Sequence, residues 1–217
     1  GRQKRFAVVL GFTAILLAGA FFLVRINPAC RQNLAVHHAQ YQELAEALSE
    51  GKVSVGDAEK ALLAVKNPYD TIALQAAGIG YRADYAYHDG KYYVYFGIVP
   101  VLLLYLPYYL LTGGALQNYV AVFVFFAGFI IAAAGFVYEL MKRYFKEQPF
   151  YLWAVGTGML VGSYSMFYLL IRPDLYHVPI VASAMFATGG LWLYLAGLNR
   201  PKKAVGLYAF GSFCMAF

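Results

Sequence analysis

In the stretch YRADYAYHDGKYYVYFGIVPVLLLYLPYY, which runs from residue 81 to 109, ionisable side chains lead straight into an apolar segment broken by prolines. Asp84, His88, Asp89 and Lys91 can each exchange a proton or contact a phosphate. The tyrosines beside them carry amphipathic rings of the kind that settle at the headgroup level of a bilayer. The same composition also describes an interfacial loop with an aromatic belt and no chemistry of its own. A second constellation is IRPDLYHVP, where Arg172, Asp174 and His177 stand at the border of another apolar run. An acid at the edge of a membrane segment is costly to keep, which makes Asp174 a functional candidate. Its local alternative is a helix cap or a pair with Arg172, and Asp84 has the same ambiguity with Arg82.

A carboxylate facing a cavity could activate an acceptor hydroxyl as a general base, or hold a divalent metal such as Mg or Mn against a diphosphate. Arg82, His88, Lys91 and Arg172 could neutralise phosphate oxygens, arginine by a planar fork and lysine as a point charge. Tyr92 and His177 complete the candidate binding set. His37 and His38 are adjacent, so on a helix they point to different sides and do not easily share one metal. No metal-ligand set follows from the spacing. Cys30 and Cys214 lie far apart and suggest neither a disulfide framework nor a zinc site. No phosphate loop, HExxH, GxSxG or CxxC is present.

The elements that must position these groups are membrane elements. The chain is 61% hydrophobic and 13% charged, with a mean hydropathy of +0.57. That is more apolar surface than a soluble domain of 217 residues could bury. The net charge of +6 sits in short Lys/Arg clusters beside apolar runs, the mark of cytoplasmic loops, so nucleic acid is set aside. The chain begins without Met and stops at Phe217 inside an apolar run, so a fragment of something longer is expected.

Arg2, Lys4 and Arg5 precede an apolar run to Val24 of the length needed to cross the hydrocarbon core, giving a first transmembrane helix over 1–24 with a cytoplasmic N-terminus. Most of the acids lie in the following outer loop, 25–93. Within it Tyr41, Leu44, Ala45 and Leu48 recur at helical spacing, with Gln42, Glu43, Glu46 and Glu50 opposite and Gly51 as a stop. A second surface helix is expected over 55–65, with Asp57 and Glu59 at its N-terminus and Asn67-Pro68 after its end.

Four apolar runs follow, 94–111, 119–140, 150–171 and 178–198, with a further one from Ala204. If all of them spanned, Lys142, Arg143 and Lys146, and again Arg200, Lys202 and Lys203, would fall outside the cell, against the positive-inside tendency. If 94–113 is instead a re-entrant or interfacial segment, both clusters become cytoplasmic. Gly97, Pro100 and Pro107 interrupt that segment and support this choice over a proline-kinked spanning helix. Residues 114–217 then supply the remaining transmembrane helices. The fold class is all-α, a polytopic transmembrane bundle with an outer loop of juxtamembrane amphipathic helices.

This layout, with the YQELAEALSEGK surface helix, an acid followed by YYVYFGIVPVLLLYLPYYLLTG, a helix ending in MKRYFK and another ending in RPDLYH, resembles the N-terminal half of GT-C membrane glycosyltransferases. Protein O-mannosyltransferases and the lipid A aminoarabinose transferase are familiar members. The resemblance implies a multi-pass enzyme that takes a sugar from a polyprenyl-phosphate or diphosphate donor to an acceptor on the outer face of a bacterial plasma membrane. It further implies a principal acid in the first outer loop and a second in the next one. Asp174 matches the second. Alignment of the surface helix puts His37 and His38 at the first, so Asp84 or Asp89 takes that role. The alternative is a non-catalytic protein, either a lipid-linked-sugar transporter or a scaffold subunit of an envelope-polymer assembly.

Overall fold

A computed structural model describes residues 2–31, 39–58, 60–80, 82–163 and 165–216. In chain order the helices are α1 (Arg2–Ile26), α2 (Pro28–Arg31), α3 (Gln40–Ser49), α4 (Thr71–Ala76), α5 (Leu106–Thr112), α6 (Asn118–Tyr144), α7 (Tyr151–Gly162), α8 (Met166–Ile171), α9 (His177–Asn199) and α10 (Ala204–Met215). Among the described residues strand is confined to one hairpin, β1 (Ala86–His88) with β2 (Lys91–Tyr93). The chain divides into two compact units, one made of Gly1–Asn33 with Gln117–Phe217, the other of Leu34–Leu116.

The first unit is the membrane unit. Three of its helices are long and apolar enough to cross a bilayer: Ala7–Ile26 within α1, α6 and α9. Of these α6 is the central one, with 56% of its apolar window buried against 11% for α1 and 22% for α9. The run 150–171, expected as one span, is two helices broken around Ser163 and Ser165, and Ser165 takes a φ of 51°. Polar serines and Gly162 interrupt the apolar pattern there, and a positive φ ends an α-helix wherever it occurs.

Contacts within this unit fix the helix directions. Phe12 meets the edge of Trp153 at 5.6 Å, and Arg5 lies over the Phe150 ring at 5.4 Å. At the other end Asn27 Nδ2 donates to the Ile171 carbonyl. The broken α7–α8 pair thus runs alongside α1 from end to end. Phe21 touches Phe123 near the start of α6, whereas Val9 and Phe12 pack by Ala134 and Val137 near its end, so α1 and α6 are antiparallel. The chain therefore leaves α1 and enters α6 at the same end of the unit.

Helix α6 and helix α9 run parallel and come very close. A Cβ added at Gly128 would strike Met185, and one at Gly135 would strike the indole of Trp192. Small residues let apolar helices approach where no hydrophobic force draws them together. The same device recurs between α9 and α10, where a Cβ at Gly190 would lie 2.9 Å from the Gly211 carbonyl oxygen.

In the second unit α3 buries Tyr41, Leu44, Ala45 and Ala47. It ends as its glycine demands: Gly51 has a φ of 74°, its N–H donates to the Leu48 carbonyl, and Lys52 N–H donates to that of Ala47. The helix expected over 55–65 is absent as such. Gly56, with a φ of 140°, turns that stretch into an extended segment hydrogen-bonded to β2 through Val55 N–H to Tyr92 O and Tyr92 N–H to Gly56 O. Of the described residues in this stretch only Lys60–Ala64 is helical, as a short 3-10 piece. Leu62, Leu74 and Ile79 form the small core, with Tyr87 and Tyr92 packed on it. Before α5 the backbone makes a π-helical turn, Val101–Tyr105. Pro107 has no N–H for the Leu103 carbonyl and its ring crowds that oxygen, and a wider turn relieves both.

Candidate functional site

The loop unit carries a cleft of about 450 Å³ whose rim includes Glu43, Glu46, Glu50, Asp57, Lys52 and Lys91. Its organising residue is Glu43, which the sequence pattern assigned to a solvated helix face. Arg82 Nη2 donates to Glu43 Oε2 at 2.6 Å, and the Tyr85 hydroxyl donates to the same oxygen at 2.8 Å. The Arg82 guanidinium also lies over the rings of Tyr85 and Tyr92, at 4.1 and 4.9 Å. Arg82 and Tyr92 are thus brought together, around a carboxylate that local sequence could not indicate, since Glu43 lies 39 positions from Arg82.

This packing perturbs the groups in it. Burial works against the charge on Arg82, but the Glu43 carboxylate and the Tyr85 hydroxyl more than offset it, so the guanidinium is held protonated above its usual range. Burial, with the hydrogen bond to Glu43, pushes the Tyr85 phenol up. Burial alone does the same to Tyr41, whose hydroxyl has no hydrogen-bond partner among the described residues. A raised folded-state pKa means that the unfolded chain loses these protons first, near pH 10. Stability from both tyrosines is complete below about pH 10 and declines above it, by at most about 1.4 kcal/mol per pH unit for each. Circular dichroism of the chain in micelles, titrated to alkaline pH beside tyrosinate absorbance, is expected to show the loop structure melting above pH 10. Tyr85→Phe should make that loss shallower, and an equally steep loss in the variant would contradict the assignment.

The sequence-derived acids of this unit differ from one another. Asp84 is half-buried, has a φ of 64° and accepts from the Tyr95 hydroxyl at 3.3 Å. Asp89 is exposed at the tip of the hairpin, where Asp89 and Gly90 have φ values of 50° and 75°, the signature of a two-residue Asp-Gly turn. His88 and Lys91 face each other across that turn as cross-strand partners, and both are exposed. His37 and His38 lie outside the described residues.

In the membrane unit Asp174 lies between α8 and α9. Its Oδ1 accepts from the Leu175 N–H at 2.6 Å, a contact with its own neighbour, while the N-cap position of α9 belongs to Tyr176, so Asp174 does not cap that helix. His177 Nδ1 meets the Arg172 carbonyl, and the His177 ring stands edge-on to Tyr168. Arg172 lies 5.9 Å from that same Tyr168 ring. Arg172, Asp174 and His177 are therefore one local group. Among the described residues no set of three or more His, Cys, Asp or Glu side chains could hold a metal ion.

One acid escaped the sequence reading altogether. Glu139 of α6 is 1% exposed and accepts from Asn199 Nδ2 at 2.7 Å and from Arg200 Nη2. Lys142 Nζ lies 4.0 Å away, and Asn199 Nδ2 also reaches the Glu139 carbonyl at 3.1 Å. Arg143 closes the same junction by donating to the Leu198 carbonyl at 3.0 Å. A carboxylate inside an apolar helix is tolerable on these terms, because every charge meets its opposite. Its signal in the sequence is that it interrupts the apolar run of α6 as the run's single acid.

Comparison with protein-family models, with curated proteins and with solved structures found no match to this chain.

Proposed function

We propose that this membrane protein is a GT-C-type glycosyltransferase, moving a sugar from a polyprenyl-phosphate or diphosphate donor to an acceptor on the outer face of a bacterial plasma membrane. The observation that carries the reading is Asp84, a half-buried acid in a left-handed backbone conformation just ahead of the apolar segment. Non-glycine residues in such conformations gather at functional sites. In this reading Asp84 is the general base or the acid that holds a divalent metal, and Asp174 is the second acid. Arg172, His177, Lys91 and His88 serve the donor phosphate, with Arg82 and Tyr92 shaping the loop around them. Asp89 belongs to the hairpin turn.

The proposed topology has a cytoplasmic N-terminus and a polytopic bundle. Its support is the helix directions: α1 ends and α6 begins at one end of the membrane unit, so residues 34–116 start and finish on one side. The segment ending in α5 is then re-entrant. The apolar helix Val101–Thr112 is too short to cross alone, because about 20 residues are needed. Arg5, Lys142, Arg143 and Arg200 gather at the opposite end of the unit, which the positive-inside tendency assigns to the cytoplasm. Asp84 and Asp174 then both belong to the outer side.

The test is thiol accessibility on intact cells, with Tyr87→Cys, Gly114→Cys, Phe145→Cys, Tyr176→Cys or Lys202→Cys in a background lacking Cys30 and Cys214. Labelling by an impermeant reagent is expected at positions 87, 114 and 176, with protection at 145 and 202. Labelling at 145 and protection at 176 would put the two acids on opposite faces and overturn the transferase reading. A second reading, the non-catalytic transporter or scaffold, is favoured by the hydrogen bond that holds Asp174 Oδ1 on the N–H of its own neighbour Leu175. Binding of donor lipid without turnover would select it.

A further inference from the structure

The basic end of the membrane unit has a recess of about 360 Å³. Three cations line it, Arg5 from α1, Lys142 from the last turn of α6, and Lys146 just beyond. Its walls include the rings of Tyr138, Phe145 and Phe150, and none of the described residues that line it is acidic. The nearby carboxylate of Glu139 is already satisfied by Arg200 and Asn199, with Lys142 at 4.0 Å. Arg5 lies over the Phe150 ring, a contact that holds the guanidinium in position without neutralising it.

Depth decides what anion this recess would meet. Arg5 precedes Ala7, where the apolar window of α1 begins, and Lys142 and Lys146 follow the apolar body of α6. Groups at such positions sit at the headgroup level. Aromatic walls beside three cations suit a ligand with a phosphate at one end and an apolar body at the other. We propose that this recess binds the phosphate of an anionic membrane lipid, with Arg5, Lys142 and Lys146 as its counter-charges and Phe145 and Phe150 against the glycerol and upper acyl region. The inference needs only the membrane reading and stands apart from the transferase.

The experiment uses the full chain, delipidated in neutral detergent and titrated with phosphatidylglycerol, phosphatidylcholine or inorganic phosphate, with bound adducts counted by native mass spectrometry. Phosphatidylglycerol is expected to bind in preference to both other probes. A cation near an anionic lipid surface contributes about fivefold in affinity, so Lys146→Gln should weaken binding about fivefold and Arg5→Gln/Lys146→Gln about twentyfold or more. Arg5 and Lys146 are exposed, and the single variant keeps the test in force if the double one folds poorly. Lys202→Gln/Lys203→Gln removes the same charge from exposed positions outside the recess and should change affinity by no more than about twofold. Equal weakening in the two double variants would reduce the effect to a diffuse surface potential and overturn the site. Phosphatidylcholine binding as tightly, or inorganic phosphate competing as well as the lipid, would overturn the lipid assignment.

Discussion

Replacing Asp84 by Asn is expected to lower sugar transfer from a polyprenyl-phosphate donor by about 10²- to 10⁴-fold, the range lost with a general base, while membrane abundance stays at the wild-type level. The substitution is informative because of the backbone. Asp84 has a φ of 64°, and Asn tolerates that conformation about as well as Asp, whereas Ala would add strain. The Asn side-chain oxygen can still accept from the Tyr95 hydroxyl, so the variant removes the charge and leaves the local fold. Initial rates with purified protein in liposomes are the measurement. Retained transfer would remove Asp84 from the chemistry. Asp89→Asn supplies the comparison, since Asn-Gly closes a two-residue hairpin as well as Asp-Gly does. Loss of transfer with Asp89→Asn alone would move the role to the turn.

The second large effect is expected at Glu139. Glu139→Leu leaves the Arg200 guanidinium without its carboxylate and Asn199 with only the backbone carbonyl of residue 139 as acceptor. Breaking a buried pair from one side costs about 3–5 kcal/mol. The Arg200 side chain is 42% exposed and can turn to water, so a loss of about 2–3 kcal/mol is expected here. Glu139→Gln keeps the hydrogen bond from Asn199 and should lose about 1–2 kcal/mol. Pairing Glu139→Leu with Arg200→Leu should recover much of the loss, because neither charge then remains unmatched. Reversible unfolding in mixed micelles measures all four proteins. A single Glu139→Leu variant as stable as the wild type would show that the junction contributes nothing.

How far these features can be read from the chain depends on the distance over which each is decided. The apolar runs behind α1, α6 and α9 are legible because some 20 apolar residues leave no alternative to a membrane helix. Helix α3 is legible from its own repeat and from Gly51. The break between α7 and α8 is not, since a hydropathy window averages over two serines and a glycine. The stretch around Gly56 misleads because its pairing partner is β2, more than 30 positions on. The hairpin's own signal is local, the Asp89-Gly90 dipeptide between tyrosine-rich flanks. The pairing of Arg82 with Glu43 and that of Glu139 with Arg200 are not legible locally, because the partners lie 39 and 61 positions apart.

The seats that Gly128 and Gly135 offer to Met185 and Trp192 also bear on motion. The two seats stand seven residues apart on both helices. A slip of one helical turn, about 5.4 Å, would drive Met185 against Ala132 and Trp192 against Glu139, where side chains fill the space. The two seats therefore define one register of α9 on α6, in which both large side chains are accommodated, and a one-turn slip from it is disfavoured.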